Sequence, residues 1–100
     1  MSLIVAGVFR VPPENVAALR PHMLTVMTAT RAEAGCIEYA YAEELGEPGL
    51  FRVFEAWTDQ AALDAHFVSA HMKAWQAVRA DYGLYGRDIS VYEVAGQRKV

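Results

Sequence analysis

The segment Glu55-Ala56-Trp57-Thr58-Asp59, followed by His66, His71 and Trp75, is where ionisable groups and large aromatics crowd together in an otherwise apolar chain. A glutamate in the middle of a buried strand must be paired, hydrogen-bonded or protonated. Glu55 is therefore either a structural carboxylate, satisfied by Arg52, Arg10 or a backbone amide or exposed at a subunit seam, or a pocket carboxylate that orients a histidine or holds a substrate hydroxyl. Trp57 shares its strand face. It is either core or one wall of a slot for a flat aromatic ligand, with the indole N–H as a donor. Tyr39 and Tyr41 also share a face, as core tyrosines or as reach into the same pocket. His66 lies one to two turns into a helix. A neutral imidazole there is a natural general base near pH 7 if it faces a cavity, and otherwise a half-buried histidine bonded to a neighbour. Phe67 and His71 join the tyrosines as candidates for binding substrate, His71 the weaker because it falls at the start of the next helical turn.

Other chemistries are disfavoured. Two histidines on one helix ligate a metal best at i, i+4. His66 and His71 are five apart, His22 lies on another element, and Glu55 alone does not make a site, so no metal is expected. Cys36 follows Gly35 at a strand start with no histidine near it in sequence, which reads as a small core residue rather than a nucleophile. There is no phosphate loop, no G-x-G-x-x-G fingerprint and no Gly-x-Ser-x-Gly elbow.

The elements that must position these residues follow from pattern. Leu3 to Val11 is apolar on both alternating sets and reads as a strand ended by Pro12-Pro13. From Glu14 to about Glu33, Val16, Leu19, Met23, Val26 and Met27 recur at helical spacing, with Pro21 expected to kink or split the helix and Ala34-Gly35 to stop it. Cys36 to Glu43 is a second strand, with Ile37, Tyr39 and Tyr41 on one face and Cys36, Glu38, Ala40 and Ala42 on the other. Gly46-Glu47-Pro48-Gly49 turns the chain into a third strand, Leu50 to Trp57. Thr58 or Asp59 caps the next helix, and Ser69 restarts a helix carrying Met72, Trp75 and Val78. Tyr82 to Arg87 reads as a loop, Asp88 to Val94 as the last strand and Gly96 to Lys99 as a polar tail.

This order predicts an α+β, ferredoxin-like βαββαβ domain over residues 1–100, with two helices on one face of a four-stranded antiparallel sheet. The third strand sets Phe51, Val53, Glu55 and Trp57 against Leu50, Arg52, Phe54 and Ala56, largely apolar on both sides. Helices cover only one side, so a homodimer packed through its sheet faces is expected, a dimeric α/β-barrel arrangement. The 100 residues are 54% hydrophobic, which supports covering surface beyond one small core. Nine basic against twelve acidic residues give a net charge of −3, which disfavours nucleic acid and anionic membrane. No apolar run approaches the ~18 residues of a membrane span. Met1 to Gly7 lacks a basic region and reads as strand, not signal peptide. One cysteine excludes an intrachain disulfide and fits a reducing, cytoplasmic setting.

Two segments carry a family resemblance. Ala34-Gly35-Cys36-Ile37-Glu38-Tyr39, together with Glu33, resembles the E-x-G-C-x-x-Y segment of the antibiotic biosynthesis monooxygenases, which include quinol monooxygenases. Phe54 through His66 resembles their E-x-W-x-(D/S)-x-x-A-(L/F)-x-x-H segment, and Ser69-Ala70-His71 continues it. The resemblance implies a dimeric ferredoxin-like fold and oxygenation of a quinol or polyphenolic aromatic by dioxygen without flavin, haem or metal. It assigns His66 as base, Trp57 and Tyr39 as slot and Glu55 as an orienting or hydrogen-bonding carboxylate. Haem-degrading relatives use an Asn on the first strand, and here Leu3 to Val11 has none. Relatives that isomerise phosphorylated sugars need cations, which Arg10, Arg52 or Lys73 would supply. A non-catalytic dimeric ligand-binding or stress protein is the remaining alternative.

Overall fold

The computed structural model describes residues 2–100, so Met1, at the head of the expected first strand, lies outside the described residues. The elements are β1 (Leu3–Arg10), a 3-10 turn (Pro13–Asn15), α1 (Val16–Arg31), β2 (Cys36–Glu43), β3 (Leu50–Trp57), α2 (Gln60–Phe67), α3 (Ala70–Asp81) and β4 (Tyr85–Glu93). The strands form one antiparallel sheet in the order β2-β3-β1-β4. This is the ferredoxin-like α+β arrangement expected from the pattern, with the second helical stretch divided in two. No helix among the described residues is long and apolar enough to cross a membrane.

The apolar stripe of α1, Val16, Leu19, Met23 and Val26, packs on Phe9, Phe51 and Val53 from the sheet and on Met72 and Trp75 from α3. A second cluster, Leu3, Val5, Trp57 and Leu63, fixes α2 at the other end of the sheet. Pro21 neither splits nor ends α1. It sits on the exposed side near the helix start, where the one hydrogen bond it removes leaves the carbonyl of exposed Ala17 open to solvent.

Two strand expectations are corrected. Register shifts between Cys36 and Glu38, so that Cys36 pairs with Trp57 and Glu38 with Ala56. Ile37 is the extra residue of this bulge. It turns outward, 61% exposed, while Cys36 moves to the helix-covered face with Tyr39 and Tyr41. The fourth strand begins at Tyr85, so half of the expected 82–87 loop is strand. It passes so close to β1 that a Cβ on Gly7 would lie 2.1 Å from the Asp88 carbonyl oxygen.

The other sheet face carries Ile4, Ala6, Val8, Ala40, Phe54 and Tyr92 in register, with no helix over it. Phe54 is 40% and Tyr92 56% exposed.

Candidate active site

A row of side chains crosses the covered face: Tyr39 pairs with Glu55, Glu55 with Val5 and Val5 with Val91. Over this row stands α2. Its first turn is capped by Asp59, whose carboxylate accepts from the Ala62 N–H at 2.9 Å. Gly35 lets the helix sit this low, since a Cβ there would lie 2.1 Å from Ala62 Cβ. The last turn of α2 then carries His66 into the protein, where it is 1% exposed.

Three aromatic rings surround the imidazole. Trp57 lies with ring centroids 4.8 Å away, Tyr39 5.4 Å and Phe67 5.9 Å. The one charged neighbour in hydrogen-bond reach is Glu33, just beyond the end of α1, whose Oε2 lies 2.7 Å from His66 Nδ1. A carboxylate accepts only, so Nδ1 donates and Nε2 is left as the free acceptor of a ring that lines the cavity. Burial lowers the His66 pKa below the ordinary imidazole value, and the hydrogen bond and charge of Glu33 oppose that without cancelling it. The ring is thus neutral near pH 7 and fixed in the tautomer a base needs.

His71 approaches the same Glu33 oxygen, with Nε2 at 2.8 Å. A spacing of five separates two residues around one helix, but Ser69 breaks the helix here and caps α3, so the two histidines come from different helices. Glu33, His66 and His71 hold ligand-type atoms within 4.8 Å of one another. That donor set suits a small divalent cation, but each histidine N–H is already donated to the one carboxylate oxygen.

The cavity beside His66 measures about 130 Å³ and is lined by Tyr39, Tyr41, Glu55, Phe67, Arg79 and Arg87 among a larger apolar set. Its size is of the order of the ~150 Å³ that accommodates one benzene ring. The Tyr39 and Tyr41 hydroxyls share a 2.6 Å hydrogen bond. Burial raises both phenol pKa values, that of Tyr41 to about 12, so both are donors rather than bases.

Glu55 neither orients the histidine nor pairs with Arg52 or Arg10. Those arginines bind Glu44 and Glu47 outside the cavity. Its Oε1 instead accepts the Trp57 indole N–H at 3.0 Å. Burial raises its pKa, against the Trp57 hydrogen bond and the charge of Arg87. Trp57 itself is 0% exposed and does not line the cavity. It backs His66 and holds Glu55. His71 is also absent from the cavity wall, which places it beside Glu33 rather than against a substrate. Arg10, Arg52 and Lys73, the cations considered for a phosphate, do not line the cavity either. Cys36 is half-buried and its thiol pKa is pushed up by burial and by Glu33 and Glu55, which keeps it protonated.

Three site residues escape a reading of the sequence for its aromatic segment. Arg79 follows Met72 and Trp75 at helical spacing and so shares their inward face, a signal present in the sequence. Arg87 alternates with Ile89 and Val91, but only once β4 is known to begin at Tyr85. Glu33 has no periodic signal, because it lies past the last apolar residue of its helix; its one signal is its place at the head of the segment resembling E-x-G-C-x-x-Y.

The family model described as antibiotic biosynthesis monooxygenase matches residues 2–78. An uncharacterized protein of Synechocystis, sll1783, is 30% identical over 93% of this chain, which spans 63% of that protein's length. YcnE of Bacillus subtilis, provisionally named a monooxygenase, is 28% identical over 75% of this chain and 79% of its own. A crystal structure from Deinococcus radiodurans, provisionally described by the same family name, superposes with a TM-score of 0.89 at 24% identity, over 100% of this chain and 98% of that one, which shows the shared fold.

Proposed function

The chain belongs to the antibiotic biosynthesis monooxygenase family, and on that premise we propose that it is a cofactor-independent monooxygenase that oxidises a quinol-like aromatic with dioxygen. The observation that carries this reading is the buried His66, its Nδ1–H donated to Glu33 and its Nε2 left for the cavity. An electron-rich phenol becomes a reductant strong enough for dioxygen once it is deprotonated, so the protein has to supply a base, an apolar slot and exclusion of water.

In this scheme His66 Nε2 takes the hydroxyl proton. One electron passes from the phenolate to dioxygen, and the resulting radical pair joins through a new carbon–oxygen bond at a ring carbon bearing hydrogen. The peroxide takes the proton held on His66; the imidazole then takes the proton from that ring carbon as the O–O bond breaks and passes it to the departing hydroxide, which leaves as water. Overall, one quinol and one dioxygen give one hydroxyquinone and one water. The substrate supplies all four electrons, two from the hydroxyl pair and two from the C–H bond. The Tyr39 and Tyr41 hydroxyls supply donors to oxygen, and Phe67 and the apolar wall hold the ring.

We place the enzyme in the cytoplasm as a homodimer closed through the bare sheet face. The uncovered row of Ile4, Ala6, Phe54 and Tyr92 supports this. Light scattering should give twice the chain mass at micromolar concentration, and a monomer would remove the dimer from this account. Oxygen uptake above the uncatalysed rate, by chelator-treated protein with a reduced naphthoquinone, tests the function. No uptake with any reduced quinone would leave an isomerase or a ligand-binding module.

Glu33→Gln tests the positioning role of Glu33. A charge-assisted hydrogen bond contributes about 1.5–3 kcal/mol, so the rate should fall about 10- to 100-fold. The pH profile gives a second readout. A base must be unprotonated, so kcat/KM rises as pH passes upward through the His66 pKa and is level at neutrality. Glu33 raises that pKa, so its loss should move the rising limb to lower pH. A purely structural Glu33 would lower stability and leave the limb in place.

A further inference from the structure

The geometry points to a substrate that carries a carboxylate, seated on Arg79 and Arg87 at the opposite end of the cavity from His66. This inference rests on the proposed oxygenation for which ring the carboxylate is attached to, but not for the binding itself. Both arginines line the cavity. Among the described residues neither has a carboxylate within 4.0 Å, whereas Arg10 and Arg52 each have one. Arg79 is half-buried and Arg87 exposed, so Arg79 is the charge that partial burial leaves without an anion.

Charge in the lining is out of balance. Arg79 and Arg87 give two positive charges and Glu55 one negative, against a neutral His66 and two protonated tyrosines. The excess is one positive charge. Burial and the neighbouring Arg87 both disfavour the charged form of Arg79, against the opposing effect of Tyr41 and Tyr39. Glu55 feels the charge of Arg87 but forms no ion pair with either arginine and is held by Trp57. A monoanion neutralises the excess, and the planar guanidinium fork matches a carboxylate in two parallel hydrogen bonds. A phosphate dianion would overshoot in a wall otherwise made of Val5, Phe9, Val53, Leu84 and Ile89.

Position fits as well as charge. Glu55, beside Tyr39, pairs with Val5, while Arg87 precedes Asp88, which pairs with Val8. Arg87 therefore lies several residues along the strands from Tyr39, whose ring packs on His66, enough for one aromatic ring between them. The substrate class is a single-ring dihydroxyaromatic acid.

Calorimetric titration of the full chain with 2,5-dihydroxybenzoate, 1,4-hydroquinone and inorganic phosphate tests this under anaerobic conditions. The acid should bind about tenfold or more tightly than the neutral quinol, as expected for one added charge-assisted pair. Arg79→Gln and, separately, the exposed-site variant Arg87→Gln should each bring that ratio toward one. Equal affinity for the acid and the neutral quinol would overturn the inference, as would a ratio unchanged in both variants. Phosphate binding more tightly than the acid would overturn the carboxylate assignment. Because no oxygen is present, a preference for the acid stands even if the oxygenation fails in its own assay.

Discussion

His66→Gln should lower kcat/KM for quinol oxidation by about 10²- to 10⁴-fold, the range ascribed to a positioned general base, with a much smaller change in KM. The size of the effect follows from what else the cavity offers. Its other titratable walls are two tyrosines whose phenols are raised by burial, a glutamate tied to Trp57 and two arginines. The tyrosines and arginines take no phenolic proton near pH 7, and the carboxylate of Glu55, held through Oε1 by Trp57, is the one other group in the lining that can, which sets the lower end of the range. Glutamine keeps most of the volume between Trp57, Tyr39 and Phe67, and its amide can still meet Glu33, so the fold should survive. Oxygen-electrode rates corrected for the uncatalysed reaction give the measurement, with a circular dichroism melt to confirm folding. A variant that consumes oxygen as fast as the parent would show that His66 is not the base.

The second large effect is on stability. Trp57→Ala should cost about 3–5 kcal/mol, the usual range for removing a large buried aromatic. A domain of this kind has a total stability of about 5–15 kcal/mol. Trp57 touches three things at once: Leu3, Val5 and Leu63 in its cluster, the face of His66 and, through its N–H, the carboxylate of Glu55. Trp57→Phe separates packing from the hydrogen bond. It should cost about 1–3 kcal/mol at neutral pH, the penalty for leaving a buried acceptor without its donor. Glu55 has a folded pKa raised above its unfolded value. A raised carboxyl favours the folded state most at low pH, and that contribution is lost as pH rises through the folded pKa. Removing the indole N–H raises the pKa further, so the deficit of Trp57→Phe should shrink in acid and grow toward neutrality. Chemical denaturation at several pH values reads this out. A deficit independent of pH would mean the Trp57–Glu55 bond adds nothing.

The sheet and its helices are legible in the sequence because their periods are clean. Alternation on Leu50 to Trp57 puts Glu55 and Trp57 on one face, and the helical stripe of Val16, Leu19, Met23 and Val26 marks α1. What escapes depends on partners distant in the chain. The bulge at Ile37 is a matter of register against β3, and nothing in Cys36-Ile37-Glu38 announces it. Glu33 reaches histidines 33 and 38 residues further on, a meeting that only the tertiary fold arranges. The five-residue spacing of His66 and His71 misleads for a local reason: it assumes one helix where Ser69 makes two. The role expected of Glu55, orienting the histidine, belongs to Glu33, because Glu55 is taken by the indole on its own strand.

The central claim, oxygenation by His66 and the substrate's own electrons, is tested most directly with labelled oxygen. Chelator-dialysed protein would be given a reduced quinone under 18O2, and the product, the water and any hydrogen peroxide analysed. The account predicts one labelled oxygen in each hydroxyquinone, the other in water, one dioxygen consumed per quinol and no peroxide. Unlabelled quinone with stoichiometric hydrogen peroxide would contradict it.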